Sequence, residues 1–155
     1  MVSYESSTDR SNERAVADLV GRYLGQKLKQ MPEYSPADFV SVDKSAYVEI
    51  RCRNCRRDKY SKFLISSRKW TELLNLKIEK ANPSIYLAVA WTDCVGLLEI
   101  DFGKIELVSF QRNKSEGTSK DDIMLAIPVS KFQMISDKVR LKKSRNWITA
   151  SSGGD

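Results

Sequence analysis

Two stretches of the chain repeat apolar residues every three or four positions, which is the periodicity of a helix with one buried face. The first runs from residue 11 to about residue 30, through Val16, Leu19, Val20, Tyr23, Leu24 and Leu28. The prolines of "MPEYSP" end it, because proline disrupts a helix. The second follows a serine cap at Ser66 or Ser67 and ends before Asn82-Pro83, with Trp70, Leu73, Leu74 and Ile78 on its apolar face.

The segments between these helices favour strands. Residues 37–42 and 46–54 are predicted to form a hairpin that turns at residues 43–45, and residues 62–66 form a further short strand. Side chains alternate between the two faces of a strand. On the second hairpin strand, one face therefore carries Val48, Ile50 and Cys52, and the other carries Tyr47, Glu49, Arg51 and Arg53. We expect the first face to be core and the second to carry the chemistry.

The second half of the chain is predicted to consist mainly of strands. Residues 84–91 are almost wholly apolar, which is typical of a central strand covered on both faces. Residues 96–102 and 104–110 suggest a hairpin that turns at Gly103-Lys104. Residues 111–121 have the composition of a mobile loop, and a last strand over 122–129 ends near Pro128. The sequence therefore predicts an α/β domain over residues 1–136, with a mixed β-sheet flanked by helices, and a basic flexible tail over 137–155.

The composition narrows the function. The 155 residues carry a formal net charge of +6, which favours a polyanionic partner such as DNA or RNA. The chain has no histidine, so mechanisms that need an imidazole are excluded. No apolar run approaches the roughly 20 residues that span a bilayer, and no secretory signal is visible, so we expect no membrane association. Three cysteines give no disulfide framework and fit the cytoplasm.

Two acids are expected to meet across the predicted hairpin. Asp38 opens the first strand and Glu49 lies inside the second. Carboxylates held close together repel, and a hard divalent cation relieves that repulsion. The expected ion is Mg²⁺, with Mn²⁺ as a substitute, bound by Asp38, Glu49 and the carbonyl of Ile50. For either acid alone, an ordinary exposed strand position is the simpler interpretation.

The order of the elements and these acids resemble the PD-(D/E)xK nuclease superfamily. The match lies in "SPADF", with Asp38, and "VEIRCR", with Glu49 and Arg51, and the resemblance covers about residues 11–102. It implies a restriction-endonuclease-like core and catalytic roles for Asp38, Glu49 and Arg51, with Glu13 of the first helix as an additional acid. Glu13 could equally be an acid facing the helix dipole.

Arg51 departs from the family pattern, which has lysine at this position. Arginine stays protonated and can clamp a phosphate, but it offers no tunable ammonium. Lys62 or Lys69 could supply the missing lysine. If neither does, the domain binds DNA without cutting it.

A dense group of cations follows the acid motif, and phosphate contact is the expected role. The predicted DNA-binding residues are Arg53, Arg56, Arg57, Lys59, Lys62 and Lys69. A solvated loop is the alternative. The same segment contains Cys52 and Cys55 in a C-x-x-C spacing, but a closed zinc site needs four ligands and only Cys94 remains.

Three functions follow from these observations. The first is a Mg²⁺-dependent endonuclease of phage or homing type that acts on double-stranded DNA as a homodimer or homotetramer, since cutting two strands usually needs two sites. The second is a catalytically inactive DNA-binding module of the same fold. The third is a protein-interaction scaffold that grips an acidic partner.

Overall fold

The computed structural model describes residues 7–101, 109–112 and 123–136, which form two helices and nine strands. The helices are α1 (Ser7–Leu24) and α2 (Ser67–Glu79). The strands are β1 (Leu28–Gln30), β2 (Phe39–Ser41), β3 (Ala46–Cys52), β4 (Lys62–Ser66), β5 (Ser84–Ala90), β6 (Val95–Ile100), β7 (Ser109–Arg112), β8 (Ile123–Pro128) and β9 (Gln133–Ser136).

Six of the strands form one mixed sheet in the order β1-β2-β3-β5-β6-β9. The central pair, β3 and β5, is parallel, and the other pairs are antiparallel. The chain passes from β3 to β5 through β4 and α2, as parallel neighbours require a long connection. The predicted fold class, a mixed sheet flanked by helices, is confirmed.

The two helices cover opposite faces of this sheet. Val16 and Val20 of α1 pack in one core cluster with Val48 and Ile50 of β3. Trp70 and Leu73 of α2, by contrast, belong to a second cluster that includes Tyr47 of β3. Alternation along β3 therefore directs Glu49 and Arg51 toward the α2 face. Strand β5 contributes to both clusters, as predicted for a central strand.

The first helix is shorter than predicted. It ends at Leu24, and Gly25 follows with a φ of 72°, a left-handed conformation that favours glycine and terminates helices. Residues 28–30 form β1, which pairs with β2, so the prediction of a helix reaching residue 30 was wrong. Leu28 is nevertheless buried, because it packs under α1 from the strand.

The predicted hairpin and the second helix are confirmed, with shifted bounds. Strands β2 and β3 pair antiparallel, and Ser41 Oγ accepts hydrogen bonds from the backbone N–H groups of Ser45 and Ala46 within the turn. Helix α2 begins after Ser66, whose side chain caps it by accepting from the backbone N–H of Lys69 at 3.1 Å. Because Ser66 is also the last residue of β4, this cap fixes the first turn of α2 directly after that strand.

A second, three-stranded sheet has the order β4-β8-β7. Strand β4 therefore pairs with β8, and the antiparallel meander of the main sheet consists of β1, β2 and β3. Strand β8 ends at Pro128 as predicted. Strand β9, on the edge of the main sheet, was not predicted.

The predicted hairpin of residues 96–102 and 104–110 was wrong. Strand β6 lies between β5 and β9, whereas β7 pairs with β8 in the other sheet. The predicted turn at 103–104, most of the predicted loop and the tail 137–155 lie outside the described residues. Within the described part of the chain, no helix is long and apolar enough to cross a membrane.

Candidate active site

The acid pair lies where β3 extends beyond its partner β2. The last paired positions join Phe39 to Val48, so the following residues of β3 have no strand on that side. Asp38 fills the gap, because its backbone N–H donates to the carbonyl of Val48 at 3.0 Å and its Oδ2 accepts from the N–H of Ile50 at 2.8 Å. The N–H and C=O of a strand residue point to the same edge. The carbonyl of Ile50 therefore faces the edge that Asp38 occupies.

Glu49 is buried against this edge, with 4% of its surface exposed. Burial, and then the nearby charge of Asp38, raise the pKa of Glu49 to about 7, while Arg51 and Lys69 oppose that shift. Burial likewise raises the pKa of Asp38, against the hydrogen bond from Ile50 and the charges of Arg51 and Lys69. Both carboxyl groups therefore resist ionisation in the protein alone.

Two cations contact the same oxygen of Glu49. Nη2 of Arg51 lies 2.9 Å from Oε2, and Nζ of Lys69 lies 3.9 Å from it. Lys69 is also held by the carbonyl of Pro36, to which its Nζ donates at 2.8 Å, and by Glu72, 3.6 Å away. Of the two lysines that could substitute for the family lysine, Lys69 lies at the acid pair, whereas Lys62 lines the cleft described below.

The other oxygen of Glu49 has a different environment. Oε1 is buried and receives no hydrogen bond from the described residues, and Nε of Arg51 is also buried without a partner there. Buried polar atoms are nearly always satisfied, so an unpartnered buried carboxylate oxygen calls for a proton, a water or a cation. Asp38 and Glu49 are both acceptors when ionised, so only a proton or a cation can join them. Two carboxylates and a backbone carbonyl form an oxygen donor set that fits Mg²⁺ or Mn²⁺.

A third acid is not part of this group. Among the described residues, no set of three acidic, cysteine or histidine side chains is close enough to hold a metal ion together. Glu13 is half-buried on α1, the helix that packs on the face opposite Glu49. Its role as an additional catalytic acid stays a prediction.

The cations predicted to bind DNA occupy a cleft next to the acid pair. The cleft has a volume of about 750 Å³ and lies between the β3–β4 connection, β4 and the end of β5. Five of the six predicted residues line it, namely Arg53, Arg56, Arg57, Lys59 and Lys62. The sixth, Lys69, is at the acid pair instead. Arg51, on the same face of β3 as Glu49, and Arg53, which follows the end of β3 directly, lie between the acid pair and the cleft.

The chain matches one nuclease family in sequence and aligns with a resolvase in structure. The profile of the family described as "Phage putative PDDEXK endonuclease" matches residues 2–135. A crystal structure of Hjc from Archaeoglobus fulgidus, a Holliday junction resolvase from an archaeal hyperthermophile, aligns with 12% sequence identity and a TM-score of 0.49. That alignment covers 79% of this chain and 87% of Hjc. No curated protein sequence matches this chain.

Proposed function

Because the chain belongs to the phage PDDEXK endonuclease family, we propose that it is a metal-dependent endonuclease that hydrolyses phosphodiester bonds in double-stranded DNA. Asp38, Glu49 and the carbonyl of Ile50 would hold Mg²⁺, or Mn²⁺ in its place. The bound ion supplies an activated water and neutralises charge that develops on the phosphate.

The observation that carries the proposal is the environment of Oε1 of Glu49. This oxygen is buried and has no donor among the described residues, and Asp38 is close enough for its charge to raise the pKa of Glu49. Burial and the charge of Asp38 make ionisation of Glu49 costly despite the contacts of its other oxygen with Arg51 and Lys69, and the raised pKa of about 7 expresses that cost. A divalent cation between the two acids would remove it, which is why we assign the ion to this pair.

Lys69 is proposed to take the role of the family lysine. Its ammonium approaches Glu49 from α2, and the carbonyl of Pro36 and the carboxylate of Glu72 orient it. From this position it can orient the attacking water or stabilise charge on the phosphate. Arg51, in the sequence position of that lysine, holds Oε2 of Glu49 and offers its remaining donors to a phosphate.

The proposal also includes the remaining features of the enzyme. The basic cleft would bind the DNA backbone, with the basic residues 137–155 as an additional contact beyond the domain of residues 1–136. Glu13 remains the additional acid predicted from the sequence, although α1 packs on the sheet face opposite Glu49, and a homodimer or homotetramer would cut both strands. The three cysteines form no disulfide with one another, which fits action in the cytoplasm of a phage-infected cell, where the enzyme would serve homing.

One observation favours a second function, a DNA-binding module without catalysis. The guanidinium of Arg51 satisfies Oε2 of Glu49 at 2.9 Å, and this ion pair compensates part of the charge that a metal would otherwise balance. In such a module the acid pair would serve stability, and the basic cleft would carry the whole function.

Cleavage assays separate the two functions. Wild type and Glu49→Ala are incubated with supercoiled plasmid and with branched DNA, each with Mg²⁺, with Mn²⁺ and with EDTA. The nuclease proposal predicts metal-dependent nicking by the wild type only, with similar DNA affinity for both proteins. Retardation of a duplex without any nicking would select the binding module. An absence of DNA binding even at low salt would contradict both, because phosphate contacts strengthen as salt falls.

A further inference from the structure

The cleft beside the acid pair is more than a positively charged surface. Its basic rim consists of Arg53, Arg56, Arg57, Lys59 and Lys62, while the remaining walls are largely apolar or aromatic. Phe63, Trp91 and Val129 are largely buried and form the floor of the cleft, with 4%, 5% and 7% of their surfaces exposed. A duplex presents phosphates and groove edges but keeps the faces of its nucleobases stacked. It therefore offers no nucleobase face to the aromatic and apolar lining of this cleft.

Two exposed apolar side chains also line the cleft. Tyr60 is 62% exposed and Leu64 is 40% exposed, so both offer apolar surface to a ligand in the cleft. The ring of Tyr60 has a cation near it, since Nζ of Lys59 lies 5.8 Å from its centroid. An exposed aromatic ring among cations is the arrangement on which single-stranded nucleic acids stack their bases.

The walls of the cleft are held in place by the fold. The backbone N–H of Arg57 donates to Asp93 at 2.9 Å, and its Nη2 donates to the carbonyl of Val129 at 3.3 Å. The guanidinium of Arg53 lies 4.6 Å above the ring of Phe63. The cleft is therefore formed before any ligand enters, which lowers the entropic cost of binding.

The charge of the cleft selects an anion. No acidic residue is among the described residues that line it. Asp58 and Asp93 lie nearby and pair with Arg56 at 3.5 and 3.6 Å, which leaves the other cations of the rim in excess. The volume of about 750 Å³ lies within the roughly 300–1,000 Å³ typical of sites for small ligands. A nucleotide combines an anionic phosphate with a flat nucleobase, so its phosphate matches the basic rim and its nucleobase matches the apolar floor of the cleft.

We propose that this cleft binds an unpaired nucleotide of the DNA strand. Its nucleobase would lie against Tyr60 and the apolar floor of the cleft, and its phosphate would contact the basic rim. This inference deepens the proposed function, on which it rests, by naming the substrate class as DNA with an unpaired segment next to the cleavage site. Glu49 and Arg53 are four positions apart, at most about 13 Å along an extended chain, so the acid pair and the cleft lie within reach of one DNA strand. An extrahelical base is bound in a similar way by enzymes that remove it from the stack.

Binding without metal tests the inference separately from cleavage. In EDTA, the affinity for a short labelled duplex is compared with that for the same duplex carrying a few unpaired nucleotides, by fluorescence anisotropy. Wild type should bind the unpaired form more tightly by about tenfold, and Tyr60→Ala should lose at least about fivefold of that preference, given the usual contribution of one stacked base. Tyr60→Phe keeps the ring and should keep the preference. A fluorescent adenine analogue at the unpaired position should lose intensity on stacking in the wild type but not in Tyr60→Ala.

Tyr23→Ala is the matched control, because Tyr23 is a comparably exposed tyrosine, at 53%, on α1 and outside the cleft. It should leave both affinities unchanged. Equal affinity of the wild type for the two DNAs, or an equal loss for both DNAs in Tyr60→Ala, would overturn the inference. A preference for unpaired DNA without metal-dependent cleavage would contradict the proposed nuclease function alone, whereas cleavage without that preference would contradict only the assigned substrate class.

Discussion

The ammonium of Lys69 lies 3.9 Å from Oε2 of Glu49, although the two residues belong to different elements, α2 and β3. Lys69 lies in the first turn of α2, which Ser66 caps directly after β4. The same oxygen of Glu49 also contacts Arg51 at 2.9 Å. The site thus contains an ammonium from a helix and a planar guanidinium from the strand, and only the guanidinium occupies the lysine position of the family motif.

Replacing Lys69 tests which of these cations assists cleavage. We expect Lys69→Ala to lower kcat by about 100- to 1,000-fold, the usual effect of removing one donor that stabilises charge in a transition state. DNA affinity should change little, since Lys69 lies at the acid pair and not in the cleft. Steady-state cleavage under Mg²⁺ and anisotropy in EDTA measure the two effects.

Lys62→Ala is the control for that experiment. Lys62 lies in the cleft, so its loss should weaken DNA binding and reduce the dependence of affinity on salt, while kcat is retained. If Lys62→Ala lowered kcat as strongly as Lys69→Ala, the assignment of Lys69 would be wrong.

Restoring the family motif provides a gain-of-function prediction. In the Lys69→Ala background, Arg51→Lys places an ammonium at the strand position and should recover at least about tenfold of the lost activity, a modest part of what a positioned catalytic group supplies. Arg51→Ala in the same background removes the cation altogether and should recover nothing. The cleavage rates of Lys69→Ala and of the two double variants are measured under the same conditions. Equal rates for the two double variants would contradict a catalytic role for a cation at the strand position.

The raised pKa of Glu49 predicts how stability depends on pH. Its pKa is about 7 in the folded protein, against an ordinary value of 4.5. Between these two values the folded state holds a proton that the unfolded chain releases, so the free energy of unfolding falls as the pH rises. The loss attributable to Glu49 is about 3 kcal/mol across this window.

Glu49→Gln keeps the shape of the side chain but removes its titration. Urea unfolding at about pH 5 and about pH 8, without divalent ions, should therefore show a smaller fall in stability for this variant than for the wild type. The comparison of the two slopes cancels contributions from other titrating groups. Identical slopes would mean that the Glu49 carboxyl ionises as readily in the folded protein as in the unfolded chain.

The sequence predicted the acid pair because its geometry is local. A short turn joins β2 to β3, so the register of one hairpin is enough to bring Asp38 beside the edge where Glu49 and Ile50 lie. The alternation along β3 likewise separated the core residue Val48 from Glu49. Helix α2 was predicted well because its cap and its apolar stripe are also local signals.

The errors concern features that depend on distant parts of the chain. Leu28 continues the apolar spacing of α1, and only the left-handed Gly25 and the pairing with β2 reveal a strand. Strand β7 pairs with β8 rather than β6, a choice that the neighbouring residues do not determine. The contact of Lys69 with Glu49 is also tertiary, so the sequence left Lys62 and Lys69 as equal alternatives. The exposed ring of Tyr60 within the cleft gave no periodic signal at all.

The central claim is that Asp38 and Glu49 hold a divalent cation, and Mn²⁺ binding measured by calorimetry tests it most directly. Wild type and Glu49→Gln are titrated with Mn²⁺ above the pKa of Glu49, in the presence of a nuclease-resistant DNA duplex. The account predicts that a Mn²⁺ ion binds to the wild type and that this binding is lost in Glu49→Gln while the duplex is still bound. Unchanged Mn²⁺ binding in Glu49→Gln would contradict it.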